Sequence, residues 1–126
     1  MPVTQRRAAS ALAGICLALT AAVVPATSAH ASCPDNFCGT WGSIVADPYL
    51  SVRRTPDRSL NPIGRANHLD AVKITCWTLG EYIDQNAPWP SAIWDRIVDD
   101  NTGVAGYGAD AWIQTSSDVR NLVPQC

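Results

Sequence analysis

From Ser32 to Cys126, turn-forming residues recur so densely that no stretch is left in which a long helix could develop. Asp47-Pro48, Thr55-Pro56-Asp57, Asn61-Pro62, the run from Asp84 to Pro90 and Asp99-Asp100-Asn101-Thr102-Gly103 each interrupt the chain. Proline fixes φ and removes a hydrogen-bond donor, while Asn, Asp and Gly adopt turn geometry at little cost. Between these breaks lie short runs with a period of two. Leu50 and Val52 share one face; Val72, Ile74 and Cys76 oppose Lys73, Thr75 and Trp77; Ile93 and Ile97 oppose Trp94, Arg96 and Val98. That pattern predicts an all-β fold, a small barrel or sandwich. Its closing hairpin is expected to run from Ile93–Val98, through the Asp99–Gly103 turn, to Tyr107–Ile113. Shorter strands are expected at Ile44–Ala46, Tyr49–Arg53 and Ile63–Ala66. Leu79-Gly80 reads as a turn, with Glu81-Tyr82-Ile83 returning briefly.

The N-terminal segment has a different character. Arg6 and Arg7 precede an apolar, small-residue run from Ala8 to Val24, and Ala29-His30-Ala31 has the form of a signal-peptidase site. The run is short for a membrane span and Pro25 follows it. Residues 1–31 are therefore expected to be a cleaved signal peptide, with no membrane association afterwards. Twin-arginine export fits less well, because the apolar residues that usually follow the arginine pair are missing. Ile15 stands where a lipoprotein anchor at Cys16 would need a small residue. Removing Arg6 and Arg7 with the signal leaves seven basic against eleven acidic side chains, a net charge of −4. No basic patch stands out, which argues against nucleic acid as a partner.

Cleavage also removes Cys16 and leaves Cys33, Cys38, Cys76 and Cys126. An even count in an exported chain implies two disulfides, and four cysteines allow three connectivities. Cys33–Cys38 and Cys76–Cys126 are the expected pairs. Pro34, Asp35 and Asn36 turn the chain between the first two, and a bridge to Cys126 would pin a terminus that otherwise frays. A four-cysteine zinc site is disfavoured because Cys76 and Cys126 are single and distant. Residues 32–43 are expected to form a disulfide-bonded leader, with Trp41 as an apolar plug, and residues 44–126 the domain.

Motifs for catalysis are weak. His68 is the only histidine after Ala31, and no nucleophile frame surrounds a serine. A ribonuclease-like set of Glu81, His68 and Arg96 has no support in its spacing. The Asp99–Gly103 run fails the calcium-loop pattern in the position of its glycine and in its missing bidentate Glu. Gly103-Val104-Ala105-Gly106-Tyr107-Gly108 is glycine-rich, but no helix follows it to hold a phosphate. No catalytic residue, metal or cofactor is therefore expected. Aromatic residues are the stronger signal, with five Trp and three Tyr against one Phe. Indole and phenol rings combine an apolar body with a polar tip and suit binding surfaces. Trp77 is expected to be exposed, opposite Ile74 and Cys76. Trp89 sits in a proline-stiffened loop, and Trp94 shares a face with Arg96.

Several segments, in order, resemble bacterial SH3 (SH3b) domains, especially their secreted actinobacterial branch. Tyr49-Leu50-Ser51-Val52-Arg53-Arg54-Thr55-Pro56 resembles the opening motif of that family. Pro62-Ile63-Gly64-Arg65-Ala66, Val72-Lys73-Ile74-Thr75-Cys76 and Ile93-Trp94-Asp95-Arg96-Ile97 are similar to its successive strands. Tyr107-Gly108-Ala109-Asp110-Ala111-Trp112-Ile113 resembles its closing strand and turn, and Val123-Pro124-Gln125-Cys126 its tail. Gly108 departs from the pattern, which has a β-branched residue there, and is expected to mark a bulge. The resemblance implies a five- to seven-strand SH3-like β-barrel whose last cysteine pairs with the strand cysteine. It further implies a monomeric, non-enzymatic module, extracellular or cell-wall-associated, that binds a peptide, peptidoglycan or an extracellular protein. Tyr49, Trp94 and Trp112 occupy places resembling groove-lining positions, and with Trp77, Trp89 and Arg96 they form the expected ligand-binding set. An alternative is a secreted inhibitor presenting the stiff Asp84–Pro90 loop to an enzyme. Signal cleavage after Ala31 predicts an N-terminus at Ser32, which intact-mass measurement of the exported protein checks.

Overall fold

A computed structural model describes residues 38–126. The expected signal peptide, Cys33 and hence the Cys33–Cys38 bridge lie outside the described residues. Seven strands account for nearly half of the described chain: β1 (Thr40–Ile44), β2 (Tyr49–Val52), β3 (Gly64–Asn67), β4 (Ala71–Ile83), β5 (Ser91–Asp99), β6 (Ala105–Ala109) and β7 (Ile113–Gln114). Two three-residue 3-10 turns, Asp110–Trp112 and Val119–Asn121, are the helical pieces among the described residues. The all-β expectation therefore holds. Strands β6-β5-β4-β1-β7 form one antiparallel sheet, and β2-β3 a separate hairpin. The hairpin attaches through a bridge in which Arg53 and Tyr107 exchange both main-chain hydrogen bonds, at 2.9 and 2.7 Å. The five-strand order is open at β6 and β7, so the described residues do not form the closed barrel expected from the sequence. At two residues, β7 pairs only with the end of β1.

The strand bounds differ from the expected ones where tertiary contact overrides local pattern. β1 starts at Thr40 and pairs with β4, so residues 40–43 belong to the sheet rather than to a leader. Trp41 is not a plug. It lies 47% exposed on the sheet's outer surface, with the Lys73 ammonium 5.2 Å from its ring centre. Leu79-Gly80 does not turn, because β4 continues to Ile83, with a register shift between Leu79 and Ile83. The expected return strand to Ile113 divides in two. β6 ends at Ala109, the Asp110–Trp112 turn interrupts the strand, and β7 pairs with β1 instead of β5.

A second irregularity in β4 decides the orientation of Trp77. Ile74 faces Ile97, but the next pairing is Cys76 with Arg96, leaving Thr75 as the extra residue of a bulge. An extra residue exchanges the two faces of everything beyond it. Cys76 is thereby turned to the side of exposed Arg96. Trp77, opposite buried Asp95, joins the side of Ile74 and packs half-buried against the core. The expectation of an exposed Trp77 fails for that reason.

The main core comprises Ile44, Leu50, Val52, Val72, Ile74 and Ile97, closed by Ile113, Val119 and Val123 from the C-terminal part of the chain. The tail is fixed as expected. Cys76 and Cys126 form a disulfide with Cα atoms 4.9 Å apart. Trp77 N–H donates to Pro124 O at 3.0 Å, and Cys126 N–H donates to Trp77 O at 2.8 Å. Closing a 50-residue loop constrains the unfolded chain by about 4 kcal/mol in the chain-entropy model.

The β2-β3 hairpin reaches the core only because β6 carries no side chains on its inner face at two positions. A Cβ on Gly106 would lie 2.6 Å from Arg53 O and 2.9 Å from Val52 Cγ1. A Cβ on Gly108 would lie 3.0 Å from Ile97 Cδ1 and 3.1 Å from Leu50 Cδ2. Gly108 pairs with Asp95 in unbroken register, so it marks a close approach rather than the expected bulge. Replacing Gly106 by Val pushes against main chain, which cannot yield as a side-chain tip can. We expect Gly106→Val to destabilise the fold by about 2–3 kcal/mol with the disulfide intact. Urea unfolding measures this, and an unchanged midpoint would contradict the close packing of β2 on β6.

Candidate functional site

Two of the six expected ligand-binding residues meet in one cleft. It encloses about 170 Å³, and its lining includes Trp94, Trp112, Leu50, Arg53, Arg58 and Gln85. Five separate parts of the chain supply these groups: β2 and its exit, the loop before β3, the β4–β5 loop, the start of β5 and the Asp110–Trp112 turn. Trp94 forms the floor at 2% exposure. It lies on the same face of β5 as exposed Arg96, yet it is covered at its own end of the strand. Ile83, Ala109 and Ala111 pack around it in a second apolar cluster. The 53–60 loop closes over the same end, where Glu81 N–H donates to Pro56 O at 3.0 Å. The Trp94 indole N–H donates to Glu81 O at 2.9 Å, which satisfies the one polar atom of the buried ring. Trp112 is half-buried on the turn wall and faces both apolar clusters.

The polar rim is basic. Arg53 is held by its main-chain bridge to Tyr107 and by Nη1 donating to Leu60 O at 3.0 Å. Arg58 is held by Glu81, whose carboxylate accepts from the Arg58 main-chain N–H at 2.8 Å and from Nη2 at 3.0 Å. Those bonds lower the Glu81 pKa and raise that of Arg58. The pair is solvent-exposed, so its role is to orient the guanidinium rather than to stabilise the fold. No imidazole or carboxylate is among the residues lining this cleft. It combines apolar indole rings with cationic and amide donors at the edge.

The other expected site residues lie elsewhere. Tyr49, at the start of β2, carries the Arg65 guanidinium 4.4 Å over its ring and does not line the cleft. Arg96 lies over Tyr107 at 5.4 Å on the outer face of the sheet and does not stack on Trp94. Trp77 packs on the core. Trp89 is 44% exposed and borders a different cleft. The ribonuclease-like set is not assembled, since Glu81 pairs with Arg58, Arg96 with Tyr107, and His68 Nδ1 lies 3.3 Å from Ala46 O.

The sequence reasoning missed two buried acids on β5. Asp95 and Asp99 alternate in phase with Ile93 and Ile97, and both are 0% exposed. Asp99 Oδ1 accepts from Asn101 N–H at 2.8 Å and so shapes the hairpin turn, while burial raises its pKa. Neither carboxyl oxygen of Asp95 has a hydrogen-bond donor around it. Burial, then the charge of neighbouring Asp110, pushes the Asp95 pKa up to about 9. Burial thus favours the protonated form of Asp95; burial raises the Asp110 pKa as well, and the neighbouring Asp95 opposes that rise. The period-two rule, applied to Asp95 as it was to Ile93 and Ile97, is the signal that could have found it. Arg58 left no such signal, because it lies in an irregular loop. Among the described residues, no group of His, Cys, Asp and Glu is placed to hold a metal ion.

The chain matches no protein-family model, no curated protein and no solved structure.

Because Asp95 titrates near 3.8 when unfolded and near 9 when folded, the folded state binds more protons across that interval. Its contribution to stability is full below about pH 4 and is lost as pH rises toward 9. We expect a higher thermal midpoint at pH 5 than at pH 8. Asp95→Asn should flatten that dependence and stabilise the protein at pH 8 by about 1 kcal/mol or more. Thermal unfolding of both proteins across this range checks it, and a profile unchanged by the substitution would contradict the assignment.

Proposed function

We propose that the chain is a non-catalytic, SH3-like binding module that takes an extended peptide, such as a cell-wall stem peptide, into the Trp94–Trp112 cleft. The observation that carries this reading is the convergence of the two tryptophans with Arg53 and Arg58 around one groove. An extended segment could lay an aliphatic or ring surface on the indoles while its carbonyl or carboxylate groups meet the guanidinium and Gln85 donors. The floor is preorganised by packing and by the bond from Trp94 to Glu81, and the rim by the Arg58–Glu81 pair, so little side-chain entropy is lost on binding. Seven strands and the bridge from the strand cysteine to the last residue support the SH3-like reading. The Cys76–Cys126 disulfide is weakly compatible with an extracellular setting, and export fits the N-terminal sequence.

Retention of the exported protein on purified cell walls tests the proposal. Wild-type protein should be retained and then released by soluble stem peptides. Trp112→Ala should reduce retention about tenfold or more, as expected for a ring at a binding centre, with an unchanged folded spectrum. Absence of retention, or equal retention by the variant, would overturn the reading.

A further inference from the structure

Strand pairing sets two guanidinium groups on either side of one aromatic ring. Arg96 on β5 lies directly opposite Tyr107 on β6, and Tyr107 lies opposite Arg53 at the exit of β2. Directly paired residues project from the same face of a sheet, so Arg96, Tyr107 and Arg53 form one row. Neighbouring strands are about 4.8 Å apart, which places the two arginine backbones about 10 Å from each other. The ring between them is held from two sides. The Tyr107 main chain exchanges hydrogen bonds with Arg53, at 2.9 and 2.7 Å, and its side chain packs against the cluster around Trp94. The Arg96 guanidinium lies 5.4 Å from the Tyr107 ring centre. Arg53 also lines the Trp94–Trp112 cleft, so the row is continuous with that cleft.

Neither guanidinium is neutralised by an ion pair among the described residues. The acids on and against the 53–60 loop are engaged elsewhere. Glu81 holds Arg58, and Asp57 accepts from the Ser59 N–H at 2.9 Å and from the Ser59 hydroxyl. Around Arg96 the same face carries Cys76 and Lys73 on β4, Val98 on β5 and Ala105 on β6, none of them acidic. Lys73, opposite Val98, is diagonal to Arg96 and adds to the positive field. The whole chain has a net charge of −2, so this local excess of cations is not its general character. Gathering like charges costs stability, which an anion placed between them recovers. A guanidinium presents a planar fork of N–H donors that matches a carboxylate. We propose that Arg53 and Arg96, on either side of Tyr107, form a carboxylate subsite that makes the Trp94–Trp112 groove selective for acidic peptides. The subsite rests on the reading of that cleft as a peptide groove. Trp94 and Arg96 are two residues apart on one face of β5. An extended ligand repeats its own face with the same period, about 6.6–7 Å. The ligand therefore carries a carboxylate side chain two residues from the aliphatic or aromatic one that meets the indoles.

The test uses the full chain and two capped pentapeptides as probes. One has leucine at its second position, glutamate at its fourth and glycine elsewhere; the other replaces the glutamate by glutamine. Binding is followed by NMR shifts of the indole, Tyr107 ring and Arg96 side-chain N–H signals. We expect both peptides to shift Trp112, and the acidic one alone to shift Arg96 and Tyr107. The acidic peptide should bind about fivefold more tightly at low salt, the upper scale for an exposed ion pair. In about 0.5 M sodium chloride that preference should fall below about twofold, because exposed charges are screened. Arg96→Gln should abolish the preference and Arg96→Glu should invert it, whereas Trp112→Ala should weaken both peptides. Equal binding of the two peptides, a preference that survives high salt, or one retained in a folded Arg96→Gln variant would overturn the subsite and leave the groove standing. Should the Arg96 variants fail to fold, the salt series on the wild type decides. Saturable shifts at Arg96 and Tyr107 with Trp112 silent would keep the carboxylate site and overturn the groove. Binding of neither peptide would overturn both.

Discussion

The fold depends on how closely β2 can lie on β6. Gly106 and Gly108 remove two side chains from the inner face of β6, and Val52, Leu50 and the Arg53 main chain occupy that space. Close packing of this kind is intolerant of added volume, since main-chain atoms cannot change rotamer. The Arg53–Tyr107 hydrogen bonds then follow, and with them the attachment of the β2-β3 hairpin to the five-stranded sheet. Leu50, Ser51 and Arg53 come to line one wall of the Trp94–Trp112 cleft only through this contact.

A second constraint runs along β5. Its inward face alternates Ile93, Asp95, Ile97 and Asp99, so two acids lie where apolar residues would stabilise the sheet more. The two are handled differently. Asp99 uses one oxygen to cap the β5–β6 turn, a local role that accounts for its position. Asp95 has no such role in the fold, and its burial is offset only by holding a proton. Unsatisfied polar groups in an interior are rare and often mark places where something other than stability is served.

The Asp110–Trp112 turn organises both clefts. It interrupts what would otherwise be one strand, sends β7 to β1, and places an indole and a carboxylate on opposite sides of a single turn of chain. The Trp94–Trp112 cleft is apolar with a basic edge, whereas the neighbouring cleft is edged by acid and indole. One wall of each cleft comes from the same short segment, so the spacing of the two is fixed by covalent geometry.

Much of this was legible in the residues themselves. The density of Pro, Gly, Asn and Asp excluded helices, the period of two identified most strands, and the position of Cys126 pointed to its bridge with Cys76. Trp94 and Trp112, groove positions by the resemblance to SH3b domains, share a cleft. What failed depended on contacts between segments distant in sequence. The bulge at Thr75 reversed Trp77 because strand register is settled by pairing with a partner, and one extra residue leaves no mark in composition. Leu79-Gly80 has the composition of a turn, yet it stays within β4, because pairing with β5 outweighs local preference. Arg53 and Arg58 reached the cleft through a long irregular loop whose path is set by Glu81 and Tyr107. The sequence by itself determined the class of structure and the identity of its rings, because turn chemistry and side-chain alternation are local. Only the tertiary structure decided which ring faces a cleft, where the strands end and which acid is buried, because those outcomes rest on the packing of one segment against another.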